Sequence, residues 1–208
     1  MDFDALIFDL DGTLWDVTEA SAVGWNNSLQ LLGLTKTVTG DDIRRVVGKP
    51  TPVCAEILFP EEKEYHQKIL EVLGKFEEAA IRSQGGKFYD SLLETLNALA
   101  RRYQLYLVSN CQRWYLDLFF ELSGTRSFFK DSDCFGNSNR NKPEMLKNLK
   151  QEQGLSKPVY VGDTGLDEEA AREAGYAFIH AGYGFGKAKA PDLVIDSLQD
   201  LLKIAVKG

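Results

Sequence analysis

The chain has 208 residues, a length that suits one domain or one domain with a modest insertion. Its composition, with 44% hydrophobic and 26% charged residues, is typical of a soluble globular protein. The net charge of -7 and the scattered Lys and Arg residues argue against a protein that binds nucleic acid, which needs a clustered basic surface.

The N-terminus and the cysteines indicate the compartment. The first residues are acidic and the apolar run is short, which does not fit a secretory signal peptide. No stretch approaches the roughly 20 apolar residues of a membrane span. Three cysteines without C-x-x-C spacing are typical of free thiols in a reducing compartment. We therefore expect a cytoplasmic protein that does not bind membranes, and the sequence leaves the oligomeric state open.

The first predicted element is a short apolar strand at 5–8, and a long interval without a predicted strand follows it, from about residue 16 to about residue 84. This interval is predicted to form four helices, the first opened by Thr18 and closed by Gly33. The glycine pair in 83–87 predicts a hinge at its end. We therefore predict a core formed by 1–15 and 87–208, interrupted by an all-helical insertion at 16–86.

After the insertion, helical patterns alternate with short apolar runs. This alternation predicts an α/β fold in which a parallel sheet is flanked by helices. The predicted strands are 105–108, 159–161, 177–179 and 193–195, with a further short strand at 131–135. The predicted helices are 91–102, 113–123, 143–153, 166–174 and 197–206.

Two carboxylates, Asp9 and Asp11, follow the first strand, where burial of charge is expensive. Because side chains alternate along a strand, both can project to the same side. Gly12 and Thr13 come next and are expected to let the backbone turn sharply and present N–H groups to an anion. A lone D-x-D is more often a turn or a helix cap. The pair therefore indicates a functional site only in combination with the other motifs of the chain.

Three other predicted strand ends and helix starts carry polar groups. Ser109 and Asn110 follow one strand and suit the oxygens of a phosphate group. Lys142 lies at the start of a helix. Asp163 follows another strand, and Asp167 lies one turn further on. Taken singly, each fits a turn, a solvated surface or a helix cap.

Taken together, these carboxylates predict a metal site. Asp9, Asp11, Asp163 and Asp167 would repel one another, and their pKa values would rise, unless a cation lay among them. All four offer oxygen ligands, which select a hard ion. Mg²⁺ is the expected one, because it is held by few carboxylates and keeps several waters.

The order of these motifs resembles the haloacid dehalogenase-like hydrolase superfamily, and most of all its phosphoglycolate phosphatase-like branch. The motifs are D-x-D-G-T at Asp9–Thr13, Ser109–Asn110, Lys142–Pro143 and G-D-x-x-x-D at Gly162–Asp167. They are spread over most of the chain, and the helical insertion lies where many members carry a cap domain. The resemblance implies a parallel Rossmann-like sheet flanked by helices, with an inserted all-helical cap.

The resemblance also implies residue roles. Asp9 would attack phosphorus and form an aspartyl-phosphate. Asp11 would protonate the leaving alkoxide and later deprotonate the attacking water, while its backbone carbonyl is the family's usual second metal ligand. Asp163 would bind Mg²⁺, and Asp167 would complete or orient the metal's ligand shell. The expected phosphate-binding residues are Ser109, Asn110, Lys142, Gly12 and Thr13.

The second aspartate narrows the reaction. Haloacid dehalogenases and phosphonatases typically lack a residue like Asp11, whereas sugar phosphomutases keep it. Relatives of the β-phosphoglucomutase type typically carry a cap His where this chain has Ser21. We therefore predict a phosphatase acting on a small phosphorylated metabolite such as phosphoglycolate, a sugar phosphate or a nucleotide. A sugar phosphomutase remains an alternative, as does a non-catalytic binding protein on the same scaffold.

Substrate choice is expected to come from the insertion. Lys49 and Arg45 lie in a Gly- and Pro-interrupted segment and are predicted to contact an anionic group of the substrate, although ordinary surface charge explains them equally well. Trp15 is a candidate pocket residue, with a core or hinge aromatic as the alternative. The G-x-G-x-G at 182–186 predicts a turn between strands rather than a nucleotide-binding loop, because no helix follows it.

Overall fold

The computed structural model describes residues 3–204. These residues form two compact units, one made of the segments up to Trp15 and from Phe88 onward, and the other of Asp16–Lys87. The strands, in chain order, are β1 (Ala5–Phe8), β2 (Trp15–Asp16), β3 (Lys87–Phe88), β4 (Gln104–Ser109), β5 (Phe129–Cys134), β6 (Pro158–Gly162), β7 (Ala177–Ala181) and β8 (Leu193–Ile195).

Helices precede or follow most of the strands along the chain. In chain order they are α1 (Thr18–Leu31), α2 (Gly40–Val46), α3 (Thr51–Leu58), α4 (His66–Gln84), α5 (Leu92–Ala100), α6 (Arg113–Ser123), α7 (Phe135–Ser138), α8 (Lys142–Gln153), α9 (Gly165–Ala174) and α10 (Asp200–Ile204). Short 3₁₀ turns occupy Lys63–Tyr65 and Arg126–Phe128.

A six-stranded parallel sheet in the order β5-β4-β1-β6-β7-β8 confirms the predicted α/β fold. β1 lies between β4 and β6, and all its residues are buried, as expected for an apolar strand covered on both faces. Phe8 pairs with Leu107 of β4 and with Val161 of β6. The residues that follow these strands, among them Asp9 and Asp163, therefore emerge at one edge of the sheet.

Alternate residues of β1 pack into different layers. Ala5 and Ile7 join a core cluster with residues of α8 and α9, including Leu146 and Ala171. Phe8 instead contacts Phe129 of β5 edge to face, with 6.2 Å between the ring centroids. The sheet is thus anchored on both faces, which holds the strand ends in place.

The unit Asp16–Lys87 is helical, and its core is formed by residues such as Trp25 of α1, Phe59 and Ile69. The rings of Trp25 and Phe59 lie 5.6 Å apart. α1 and α4 approach closely at Gly24, where a Cβ atom would lie 2.4 Å from the Cα atom of Glu77. Across residues 3–204, no helix has both the length and the apolar character that crossing a bilayer requires.

Two details differ from the sequence prediction. Asp16 belongs to a strand, β2, and β2 pairs with the unpredicted β3. Strands of two residues carry no periodicity, so the sequence has no signal for them. The helix predicted at 197–206 is observed over Asp200–Ile204; residues 197–199 form a bend and a turn, and residues 205–206 lie outside the described part of the chain.

Candidate active site

Three carboxylates meet at the carboxyl edge of the sheet and are called here the acidic cluster: Asp9, Asp163 and Asp167. One oxygen from each lies within 4.8 Å of the others, and each residue is 1% exposed. The ammonium group of Lys142 lies among them, donating to Asp9 Oδ1 at 2.8 Å and to Asp167 Oδ1 at 2.6 Å. The structure therefore brings together four residues from three distant segments of the sequence.

Helix starts orient two of these residues. Thr164 caps α9, and both its backbone N–H and its hydroxyl group donate to Asp167 Oδ2, at 2.9 and 2.6 Å. Lys142 is the first residue of α8, whose start is fixed by a capping box between Asn141 and Glu144. Asp167 thus has one oxygen held by its own helix cap and the other held by the lysine.

Burial dominates the electrostatics of the acidic cluster. It raises the pKa of Asp9, an effect that the Lys142 ammonium opposes and Asp167 reinforces. Burial and the nearby charges of Asp167 and Asp9 raise the pKa of Asp163 to about 8. Burial alone would lower the pKa of Lys142, but Asp167 and Asp9 raise it well above its ordinary value. The lysine therefore stays charged, but its single positive charge does not balance the three carboxylates.

The acidic cluster fits a hard divalent cation. Asp163 Oδ1 is buried and has no hydrogen-bond partner among the residues that the structure describes. The donor set consists of carboxylate oxygens, which suit ions such as Mg²⁺ better than softer metals. A cation would also remove the repulsion that raises the pKa of Asp163.

The glycine-rich loop 182–186 supports Asp163, a role that the sequence analysis missed. The backbone N–H of Phe185 donates to Asp163 Oδ2 at 2.7 Å. A Cβ atom on Gly184 would lie 2.3 Å from the Asp163 Cβ atom and 2.4 Å from the carbonyl oxygen of Gly12, so only glycine fits there. The loop lies between β7 and β8, and its alternating glycines are the signal that was available.

Asp11 lies outside the acidic cluster. Its Oδ1 atom accepts a hydrogen bond of 2.5 Å from the hydroxyl group of Tyr115, a residue of α6 that the sequence analysis did not single out. Asp11 is 8% exposed and Tyr115 is 7% exposed. The two aspartates of the D-x-D motif therefore have different partners, an ammonium for Asp9 and a phenol for Asp11.

The turn after Asp11 is as sharp as predicted, but its N–H groups are not directed at an anion. Gly12 has a φ of 75°, and its N–H donates to the carbonyl of Trp15 at 3.0 Å. The N–H of Thr13 donates to the carbonyl of Leu10 at 3.2 Å. These groups close the turn instead, which corrects the expectation that they present N–H groups to phosphate.

The remaining phosphate-binding candidates lie at the same sheet edge. Ser109 is the last residue of β4 and is buried, and Asn110 follows it and is half-buried. Thr13 is fully buried, and within 3–204 its hydroxyl group has no hydrogen-bond partner. Polar groups are therefore available at this edge from the ends of β1, β4 and β6.

The substrate-specificity candidates occupy different environments. Trp15 is fully buried and stacks on Phe88 at 6.0 Å between ring centroids. The Arg45 side chain is 73% exposed and pairs with Asp42 of the same helix. Lys49 lies just after α2 and is half-buried. Trp15 thus has the surroundings of a core aromatic, and the two cations stay open candidates.

Comparison with known proteins agrees with this geometry. Residues 6–181 match the haloacid dehalogenase-like hydrolase family. The chain is 28% identical to a phosphoglycolate phosphatase of Aquifex aeolicus (strain VF5), over 96% of this chain and 95% of the relative. It is 29% identical to a phosphoglycolate phosphatase of Vibrio parahaemolyticus, over 98% of this chain and 96% of the relative.

The fold is shared with solved structures. A predicted phosphoglycolate phosphatase from Haemophilus somnus 129pt superposes with a TM-score of 0.86 at 23% identity, over 97% of both chains. This likeness concerns the fold, whereas the match over residues 6–181 concerns the sequence. The chain belongs to the haloacid dehalogenase-like hydrolase family, within its phosphoglycolate phosphatase-like branch.

Proposed function

We propose that this enzyme is a Mg²⁺-dependent phosphatase that hydrolyses a small phosphate monoester through an aspartyl-phosphate on Asp9. The observation that carries the proposal is the buried acidic cluster, two of whose carboxylates accept hydrogen bonds from the Lys142 ammonium. The curated relatives named phosphoglycolate phosphatase support the same reaction type.

Asp9 and Asp163 would hold the metal ion, together with the backbone carbonyl of Asp11, and Asp167 would complete or orient this set. The ion, when bound, supplies the positive charge that allows an anionic carboxylate to approach an anionic phosphate group. The partnerless Oδ1 atom of Asp163 supports this assignment. Lys142 supplies a further positive charge that stays in place throughout the reaction.

In the first half of the reaction, a carboxylate oxygen of Asp9 forms a bond to phosphorus. The bond between phosphorus and the ester oxygen breaks, and Asp11 gives its proton to the departing alkoxide. Ser109, Asn110 and Lys142 would hold the phosphoryl oxygens as negative charge shifts among them. The products of this half are an alcohol and the aspartyl-phosphate.

In the second half, a water molecule attacks phosphorus while Asp11 accepts one of its protons. The bond between phosphorus and the Asp9 oxygen breaks, which restores the carboxylate and releases inorganic phosphate. Asp11 ends the cycle protonated, as it began. One residue thus acts first as an acid and then as a base.

We further propose that the helical unit acts as the cap and selects the substrate. It is inserted in the connection that follows β1 and Asp9. Lys49 and Arg45 would contact an anionic group of the substrate. Phosphoglycolate, which carries a carboxylate beside its phosphate group, is the first compound to test because of the relatives' names, followed by sugar phosphates and nucleotides.

The experiment measures phosphate release from a panel of phosphorylated metabolites and 4-nitrophenyl phosphate, with Mg²⁺ or with EDTA. We expect Mg²⁺-dependent release that Asp9→Asn abolishes. Conversion of a sugar phosphate to an isomer without phosphate release would indicate a mutase instead. A folded protein that releases phosphate from no ester would overturn the proposal.

The cap proposal has its own test. Lys49→Ala is expected to raise the KM of the best substrate several-fold while kcat changes little. Lys68→Ala is the matched control and is expected to leave KM unchanged. Lys68 is an exposed lysine of α4 whose ammonium lies over the ring of Tyr65. If both variants bind the substrate as the wild type does, Lys49 has no part in recognition.

A further inference from the structure

Tyr115 is held rigidly beside the D-x-D motif. It lies in the first turn of α6, the helix that begins just after Ser109 and Asn110. Its ring is wedged edge to face against Trp15 and Trp114, with centroid distances of 5.2 and 5.4 Å. Because Trp15 is itself fully buried, the phenol has little freedom to move.

The hydroxyl group of this fixed ring donates a hydrogen bond to Asp11 Oδ1. The distance of 2.5 Å is typical of a hydrogen bond from a hydroxyl group to a carboxylate. The contact differs in kind from the one made by Asp9, whose Oδ1 atom faces the Lys142 ammonium. An ammonium favours the ionised form that a nucleophile needs. A phenol is uncharged, so it can orient a carboxyl group that must alternately lose and regain a proton.

We propose that Tyr115 is a positioning residue for proton transfer by Asp11, an inference that rests on the phosphatase reaction proposed above. Tyr115 fixes Oδ1 as the hydrogen-bond acceptor, so that Oδ2 is the oxygen that carries the proton to the leaving alkoxide. The last torsion of an aspartate side chain is soft, and proton transfer requires heavy atoms within about 3 Å of each other. The tyrosine removes the rotation that would carry Oδ2 out of reach.

The test separates this role from a structural one by varying the leaving group. Values of kcat/KM are measured for a series of esters from 4-nitrophenyl phosphate to simple alkyl phosphates, with wild type and Tyr115→Phe. This ratio reports only the steps up to loss of the alcohol. Good leaving groups depart without an acid, whereas alkoxides need one, so the loss is expected to grow along the series.

We expect Tyr115→Phe to lower kcat/KM by about 10- to 100-fold for alkyl phosphates and by less than about threefold for 4-nitrophenyl phosphate. The substitution keeps the ring and removes only the donor. A fraction of unfolded protein would lower kcat/KM by the same factor for every ester. The dependence of kcat/KM on the leaving group is therefore insensitive to imperfect folding.

Tyr176→Phe is the matched control. Tyr176 is also buried, and its hydroxyl group donates to the carbonyl of Leu146 at 2.8 Å, so the variant also loses one buried hydrogen bond. Tyr176→Phe is expected to change kcat/KM by the same factor for all esters. Asp11→Asn sets the steepest slope, and adding Tyr115→Phe to it should steepen the slope no further, because both residues serve one proton transfer.

Two outcomes would overturn the inference. If Tyr115→Phe lowers kcat/KM by the same factor for all esters, or lowers it for none of them, Tyr115 only fills space and Asp11 is oriented by other groups. A slope that is steeper in the double variant than in Asp11→Asn alone would show that Tyr115 acts independently of Asp11. A wild type that hydrolyses no ester would overturn the proposed function itself, which is a different result from hydrolysis with an unchanged slope.

Discussion

Each of the two compact units buries carboxyl groups, and each does so in a different way. In the α/β unit, the acidic cluster brings three carboxylates together, and the Lys142 ammonium donates to two of them. In the helical unit, Glu77 of α4 is 9% exposed and accepts a hydrogen bond from the hydroxyl group of Ser21 on α1. One region thus concentrates charge, and the other isolates a single group.

The pKa values show what this difference means. Burial raises the pKa of Glu77 to about 7, although the Ser21 hydrogen bond opposes the rise. The pKa of Asp163 rises to about 8 because its carboxylate neighbours add to the effect of burial. A lone buried carboxyl group can become neutral by taking up one proton. Three carboxylates with one lysine instead have the donor set and the excess negative charge that suit a cation, as the proposed function requires.

The largest expected effect comes from removing Asp9, the proposed nucleophile, from the acidic cluster. Asp9→Asn should lower kcat for phosphate release by at least about 1000-fold, because no bond to phosphorus can form. Its melting temperature in metal-free buffer should not fall, since one source of repulsion is gone. The control is Asp117→Asn, an exposed residue of α6 paired with Arg113, which should keep full activity. Activity within tenfold of wild type would place the nucleophile elsewhere.

Removing the Lys142 ammonium, which contacts Asp9 and Asp167, should affect both activity and stability. Lys142→Met is expected to lower kcat by about 100- to 1000-fold and the free energy of unfolding by about 3 to 5 kcal/mol without metal. Mg²⁺ should restore part of the stability. Lys147→Met, on the same helix with an exposed partner, should change stability by less than about 0.5 kcal/mol. Equal effects of the two variants in urea unfolding would contradict the importance of the buried pair.

The loop that supports Asp163 gives a smaller effect. Gly184→Ala would force the new methyl group against Asp163 and Gly12, so we expect the Mg²⁺ concentration for half-maximal activity to rise about tenfold. Gly182→Ala in the same loop is the control, because its nearest contact would be 3.2 Å away. A titration of activity with Mg²⁺ that does not separate the two variants would show that the loop has no effect on metal binding.

The smallest effect concerns the isolated carboxyl group and appears only as a pH dependence. The pKa of Glu77, about 7 in the folded protein, lies above the ordinary value of 4.5. Between these pH values the folded protein holds a proton that the unfolded chain has lost. The contribution to stability is therefore complete below 4.5 and disappears as pH rises through 7.

Glu77→Gln should remove this dependence. Between pH 5 and pH 8, the wild type should lose about 2 to 3 kcal/mol more unfolding free energy than the variant, measured by urea unfolding. Other titrating groups occur in both proteins and cancel in the difference. Glu78→Gln is the control, because the Glu78 side chain is 38% exposed and pairs with Arg82. Parallel pH curves for wild type and Glu77→Gln would mean that Glu77 is ionised at all these pH values.

Local patterns in the sequence were enough to predict the fold and the types of residue at the candidate site. Apolar runs such as 5–8 and 159–161 predict strands because parallel strands are buried on both faces. Short motifs predicted Asp9, Lys142 and Asp163 because the carboxyl ends of parallel strands share one edge. These features depend on neighbouring residues, so a single sequence contains them.

The sequence could not predict which partner each group would take. Tyr115 and Asp11 are 104 residues apart, and Phe185 and Asp163 are 22 apart, without any motif that links them. The N–H groups of Gly12 and Thr13 were expected to face an anion but close a turn. Each of these outcomes depends on backbone geometry or on packing between elements, which residue type alone does not reveal.

The sequence by itself determined the α/β alternation, the helical insertion and the set of acidic and basic residues at the strand ends, because these are written in periodicity and short spacing. Only the tertiary structure decided that Asp9, Asp163 and Asp167 meet at one site, that Lys142 pairs with Asp9 and Asp167, and that Asp11 pairs with Tyr115. The physical reason is strand register together with rigid packing. Register brings distant strand ends to one edge, and packing selects which nearby group meets each carboxylate.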